Sequence, residues 1–396
     1  MMKQRIFYLL AIMITVVSCM KTPNTSPLAI VSFSPRNLAA YNYITITGAH
    51  FDTAITKNSV SFNGQAAVVF SVKGDSSMTV IVLRNVTPGK ITVTVNGVST
   101  TTVSYTVLPG AWIRKADLPD IVLPNARAET IGFAIGNTGY IGLGTNNGET
   151  FGDLYAYEPA TDKWTARRSL PIGLERAFSM VINGKAYVGT GYSRGTSVVP
   201  GGFSKQLFEY DPSTDKWVGK GDFPGLARKG ASAFVVGEKG YAGFGEGDTR
   251  FKDWWQYDPA SNIWTRKADF PGGYAPDDGS GFALDNKIYV GGTASLNPVY
   301  NEWWQYDPAN DTWTKKQNMP WGFDYLKGVV INNKGYLMGT ENWQYDDVTD
   351  SWTQKAFFGP RTWGAVFSIG NKGYYGTGAG LPGILFDNDF WEYTPE

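Results

Sequence analysis

The chain has 396 residues, with 35 Lys+Arg against 35 Asp+Glu, a single His and a single Cys. That balance leaves no electrostatic footprint for nucleic acid. One His and one Cys exclude disulfide scaffolds, zinc fingers, Cys–His nucleophiles and multi-His metal sites, while 47 Gly and 15% aromatic residues predict turn-rich all-β structure.

At the N-terminus, Lys3 and Arg5 precede an apolar run from Ile6 to Val17. The run is too short to span a bilayer and has the length of a signal-peptide core. It ends in Val16-Val17-Ser18-Cys19, a pattern that resembles the lipobox of bacterial lipoproteins. The resemblance implies removal of residues 1–18, acylation of Cys19 and a lipid anchor in a membrane. Met20 stands where some lipoproteins carry an Asp that retains them at the inner membrane, so the expected location is the outer membrane. Residues 19–26 are read as a tether.

Between residues 27 and 108, short alternating segments such as Tyr43-Ile44-Thr45-Ile46-Thr47 and Val60-Ser61-Phe62 are separated by turn residues, Lys73-Gly74-Asp75 and Pro88-Gly89 among them. Period-two alternation at this spacing predicts an antiparallel sandwich. Ser34-Pro35, Ile44 to Gly48 with Phe51, and Val60 to Gly64 together resemble the IPT/TIG immunoglobulin-like family. His50, next to Phe51 in a turn, has nothing nearby to complete a metal site. None of the 14 Trp precedes residue 111, so the composition shift at Leu108-Pro109-Gly110 is read as a domain boundary.

Residues 111–396 repeat. Tyr157-Glu158-Pro159 leads to Trp164, Tyr210-Asp211-Pro212 to Trp217, and Tyr257-Asp258-Pro259 to Trp264. Tyr306-Asp307-Pro308 leads to Trp313 and Tyr345-Asp346-Asp347 to Trp352, always seven residues on. Upstream of each lies a second apolar block centred on Tyr140, Tyr187, Tyr241, Tyr289 and Tyr336, and a sixth block is centred on Tyr374. Each repeat supplies four short strands, one blade of a β-propeller. The pattern resembles kelch repeats, although only Gly291-Gly292 keeps that family's glycine doublet. Ala111 to Pro119 matches an outer Trp strand with no Tyr before it, and Phe390-Trp391-Glu392-Tyr393 is a third strand with no Trp strand after it. The N-terminal strand therefore completes the last of six blades and removes an open edge. The predicted fold is all-β, an IPT/TIG sandwich followed by a six-bladed kelch propeller.

The first-to-second and third-to-fourth turns are uniform Asn/Gly and Asp-Pro turns, explained by turn chemistry alone. Connections on the other face vary, the Tyr-to-Tyr distance running 17, 23, 16, 17, 9 and 19 through the blades, so that face is the candidate site. Arg127, Arg176, Arg228 and Arg361 open innermost strands there, with Asp277, Asp278 and Asp324 at comparable places in blades four and five. Such a set suits an anionic or polyol ligand, or else inter-blade pairing that orders the channel. Tyr274, Trp321, Phe323, Tyr325 and Trp363 add aromatic surface, suited to sugar stacking or to packing between blades.

The expected function is a non-enzymatic binding module for a glycan or a surface protein, with no cofactor, no metal, no assigned catalytic residue and no nucleic acid. The kelch resemblance brings galactose oxidase to mind, but its copper site needs two His and a Tyr crosslinked to Cys, and this propeller contains neither His nor Cys. Two alternatives stand beside that reading. One is a sugar mutarotase or epimerase similar to the sialic-acid mutarotase propellers, and the other is a structural component of a surface complex.

Overall fold

The computed structural model describes residues 27–395 apart from 35, 39–42, 83–85, 120–125, 147, 196–199, 274, 277, 279, 293–300, 321–325, 360 and 381–384. Among these the secondary structure is strand, with one short 3-10 turn at Ile55–Lys57 and no helix long and apolar enough to cross a membrane.

The first unit is a two-layered sandwich. Ala29–Ser34, Tyr43–Ala49, Ser77–Ile81 and Gln65–Lys73 pair in that order, and Asn58–Phe62, Gly89–Val95 and Val98–Val107 continue from the last of them. Alternate residues of both layers, Ile44, Ile46, Val60, Phe62, Met78, Val80, Ile91 and Val93 among them, face inward and are buried. The pairing is antiparallel except at one place. Asn37–Leu38 runs parallel to Val98–Val107, a departure from the all-antiparallel expectation, because the first strand breaks and its continuation crosses to the opposite layer.

The second unit is a six-bladed β-propeller. Five four-stranded antiparallel sheets follow one another in sequence order, beginning with Ile131–Ile135, Phe178–Ile182, Ser232–Val236, Ser280–Leu284 and Lys327–Ile331 as their innermost strands. The sixth contains Ala365–Ile369, Lys372–Gly376 and Phe390–Thr394, and its outer strand is Ala111–Lys115. Phe390 pairs with Lys115 and Thr394 with Ala111, so the first propeller strand closes the last blade, as the sequence predicts.

Two systems of contacts, one aromatic and one hydrogen-bonded, join the blades, and they account for the repeated residues. The second-strand Tyr of each blade meets the third-strand Tyr of the next around the whole circle. These pairs are Tyr140–Tyr210, Tyr187–Tyr257, Tyr241–Tyr306, Tyr289–Tyr345, Tyr336–Tyr393 and Tyr374–Tyr157, with centroids 5.4–5.9 Å apart. Offset and edge-on contacts of this kind add about 0.5–1.5 kcal/mol each beyond the area they bury.

The second system is polar. The hydroxyls of Tyr157, Tyr210 and Tyr306 donate to Asp162, Asp215 and Asp311 at 2.7–2.8 Å. Those carboxylates also accept the backbone N–H of Ala116, Arg168 and Ala268 in the preceding blade at 2.9 Å. In return Trp164, Trp217 and Trp313 donate their indole N–H to the carbonyls of the same three residues. The Tyr-to-Trp hairpin is thus a clasp between neighbours. Its Asp sits at φ near +50°, which a short polar side chain tolerates.

Candidate functional site at the loop-side channel mouth

On the variable-loop face, in five of the six blades, one described residue stands two positions before the innermost strand with left-handed backbone. Glu129, Arg176, Gly230, Asp278 and Trp363 occupy these positions, at φ +60°, +52°, +67°, +52° and +58°. Successive members are tied by backbone hydrogen bonds. The N–H of Glu129 donates to the Trp363 carbonyl at 2.7 Å, Arg176 to Glu129 at 3.1 Å, Gly230 to Arg176 at 2.9 Å and Asp278 to Gly230 at 2.8 Å. Among the described residues this belt runs through blades six, one, two, three and four at the channel mouth and fixes where its side chains start.

The four arginines singled out in the sequence divide into two kinds. Arg127, Arg228 and Arg361 lie two residues upstream of the belt, and the first two are essentially inaccessible, at 0% and 1% exposure. Arg127 forms a two-pronged pair with Asp153 at 2.5 and 2.9 Å, and Arg228 forms the same pair with Asp253 at 2.5 and 2.9 Å. Each guanidinium also donates to a carbonyl, that of Leu143 or Phe244, and lies over a phenyl ring, Phe151 at 4.2 Å or Phe251 at 4.1 Å. Arg361 bonds Asp387 at 2.6 Å and Asp389 at 2.8 Å. These pairs lie within single blades, binding the entry of the first strand to the entry of the third. The expectation that Arg127, Arg228 and Arg361 present free guanidinium groups to a ligand is corrected accordingly: their donors are directed into the protein by this bidentate geometry.

Arg176 is different. It occupies a belt position, and its guanidinium bonds Asp278 and also Glu246 at 2.8 Å. Asp278 further meets Lys327 of blade five at 3.7 Å. Burial alone would raise the Asp278 carboxyl, but Arg176 and then Lys327 hold it below the usual carboxylate range. Glu175 turns to Arg194 at 2.8 Å, and the Lys229 ammonium lies over the Tyr192 ring at 5.6 Å.

Glu129 has no hydrogen-bond or ion-pair partner among the described residues, and its Oε2 is buried. Burial first, and the nearby Glu175 carboxylate second, push its carboxyl up to about 7 against the pull of Arg176. Beneath the belt lies a cavity of about 120 Å³, walled by the innermost strands of all six blades. Thr130, Ser179, Ser232, Asp278 and Lys327 bring polar groups to it. The wall is narrow because small residues let the strands crowd together. A Cβ at Gly328 would lie 1.5 Å from the Gly281 carbonyl oxygen of the neighbouring blade.

Of the other residues singled out in the sequence, Trp363 is a half-buried belt member. Trp321, Asp324, Tyr325, Tyr274, Phe323, Asp277 and Cys19 lie outside the described residues. Sequence reading missed Glu129, Glu175, Arg194, Glu246 and Lys327. The available signal was position: Glu129, Arg176 and Asp278 all stand two residues before the first core residue of their blades. Among the described residues no three His, Cys, Asp or Glu side chains form a metal-binding group.

Residues 28–108 match the family model for the IPT/TIG domain. The N-terminal sandwich is an IPT/TIG domain. Its last strand leads directly into the propeller, where Leu108 packs on Ala356 with Trp112 and Phe357 alongside, and the Pro109 carbonyl accepts the Ala356 N–H at 2.8 Å. The segment leaving the IPT/TIG domain is thus fastened to the end of blade five's outer strand. The propeller is similar to a solved structure described as "Structure of YjhT", with a TM-score of 0.58 and 17% identity over 69% of this chain and 95% of that one. Likeness at that identity shows the fold. No curated protein matches the chain significantly.

Proposed function

We propose that the protein is a binding module whose loop-side channel mouth takes a small polar ligand, a glycan end being the class that fits best. The observation that carries this reading is a charged network in which Arg176 bonds Asp278 and Glu246 while Asp278 meets Lys327, with Asp278 and Lys327 lining a cavity walled by the innermost strands and the belt hydrogen bonds fixing the backbone beside it. Donors and acceptors pre-placed on a rigid ring match the hydroxyl pattern of a sugar at little ordering cost. Fold alone does not dictate function, and the reading rests on the site.

With Cys19 acylated, the IPT/TIG domain would serve as the spacer between an outer membrane and the propeller, and the kelch-like repeats would supply the scaffold. A glycan array against the purified propeller tests the ligand class. Loss of every array signal on replacing Asp278 with Asn, in protein that circular dichroism shows to remain folded, is the expected outcome. A signal that survives this change and disappears instead with Trp321→Ala and Tyr325→Ala would move the site to the aromatic loops.

A second reading is favoured by Glu129. A carboxyl pushed to about 7 carries and exchanges protons at neutral pH, which is the requirement for a sugar mutarotase or epimerase. Anomer-exchange NMR with candidate sugars decides it. Catalysed exchange abolished by Glu129→Gln would make the protein an enzyme, and an exchange rate equal to buffer would leave it a binder.

A further inference from the structure

The cations at the mouth are already engaged. Arg176 is shared between Asp278 and Glu246, Lys327 faces Asp278, and Arg194 is held by Glu175. Arg127, Arg228 and Arg361 are turned into their own blades. Lys229, the remaining cation near Glu129, rests on Tyr192. Glu129 is the opposite case: a carboxylate on the belt with no partner among the described residues and with one oxygen buried.

The charged groups bearing on it come from three blades. Glu175 and Arg176 approach from blade two, Lys229 from blade three and Asp278 from blade four, while the belt neighbour on its other side, Trp363, is uncharged. Two carboxylates thus oppose two cations, and one of those cations is already committed to Asp278 and Glu246. Arg176 and Lys229 offset the desolvated charge of Glu129 only in part. A ligand carboxylate placed there would meet further repulsion, whereas a ligand cation would supply the rest of the compensation.

We propose that the channel mouth selects a ligand bearing a primary amine, with Glu129 as the group that accepts it. The proposal rests on the reading that the mouth binds a small polar ligand, and it names the chemical class. The amine donates to Glu129 as a charge-assisted hydrogen bond, the stronger kind. Because the Glu129 carboxyl lies near 7, ionisation rises from about a tenth at pH 6 to about nine tenths at pH 8, while a primary alkylamine remains charged throughout.

The test uses three sugars that differ only at C6: 6-amino-6-deoxyglucose, glucose and glucuronate. Calorimetry on the whole mature chain is expected to rank them amine, then hydroxyl, then carboxylate, with the amine about tenfold tighter than glucose. Its affinity is expected to rise about tenfold between pH 6 and pH 8. Glu129→Gln should abolish both the preference and the pH dependence. So should Glu129→Gly, which copies the residue that blade three carries at the same left-handed position.

Melting temperatures of both variants are followed in parallel. Glucuronate binding tightest, or an amine preference that survives in both variants, overturns the proposal and leaves the binding site standing. If the wild type binds none of the three sugars at millimolar concentration, both the proposal and the reading beneath it fail.

Discussion

The guanidinium of Arg176 in blade two reaches past blade three to the carboxylate of Asp278 in blade four. It does so because the belt residue between them is Gly230, which has no side chain to block the path. One ion pair thereby links two blades that belong to separate sheets and are not neighbours in the ring. It also sets the polarity of the channel mouth.

Replacing Asp278 with Asn removes one carboxylate partner of the largely buried Arg176, while Glu246 stays in place. Breaking such a buried pair costs about 3 kcal/mol, to be read as a lower urea midpoint at unchanged slope. The pH dependence has a definite sign. The folded Asp278 carboxyl lies below its ordinary value, so its contribution is fully present above about pH 4 and is lost as pH falls through the lower folded value. In Asp278→Asn this part of the acid limb of the stability profile should be absent.

Glu129 has the opposite sign. Its carboxyl is raised to about 7, so the folded state binds more protons than the unfolded state between roughly pH 4.5 and 7, and stability falls as pH rises across that window. Glu129→Gln should therefore be neutral near pH 4 and stabilising by about 1–3 kcal/mol at pH 8, allowing for partial exposure. Thermal melts of wild type and variant at the two pH values measure the difference directly. Equal shifts at both pH values would argue against a raised carboxyl.

Arg228→Lys should weaken blade three without touching the mouth. Lysine cannot form the two-pronged bond to Asp253, and it lacks the flat face that lies over Phe251. A loss of about 2–4 kcal/mol is expected, on the scale of breaking a buried charged network. Hydrogen exchange should show the opening confined to blade three and its neighbours.

Removing residues up to 129 takes away Ala111–Lys115 and leaves Phe390–Thr394 with an unpaired edge. It also removes Trp112, which packs on Tyr393 and Phe358 and donates to the Ala356 carbonyl at 2.7 Å. The truncated propeller should aggregate or lose cooperative unfolding. A truncation starting at residue 110, which retains the strand, should fold.

Cys19→Ser tests the anchor. Membrane fractionation should lose the protein to the soluble fraction or show an unprocessed precursor, and unchanged processing and membrane association would reject lipidation at Cys19.

The blades were legible from sequence because their contacts recur. A Tyr at a fixed distance from a Trp reports an inter-blade clasp each time it appears, and the ends of the chain reveal the closure by what each of them lacks. The arginines were harder. Arg127 and Arg228 lie two residues upstream of the position held by Arg176, close enough in sequence to look equivalent. The left-handed belt residue, however, turns the chain between the two positions. One side chain enters the blade and the other the channel. Glu129 carries no motif at all, and its isolation exists only once the neighbouring charges have been paired in three dimensions.

The strand that closes the ring is made first among the propeller strands, and its partner is made last. About 275 residues separate Lys115 from Phe390, the pair at one end of the seam. At roughly 5–20 residues per second of synthesis, Ala111–Lys115 waits on the order of 15–50 seconds for Phe390–Thr394 to exist. Throughout that interval blades one to five can stack in order, each clasping its predecessor, but the circle stays open. Completion is therefore a single late event, and any stall near the C-terminus strands an almost finished protein with both edges of its seam exposed.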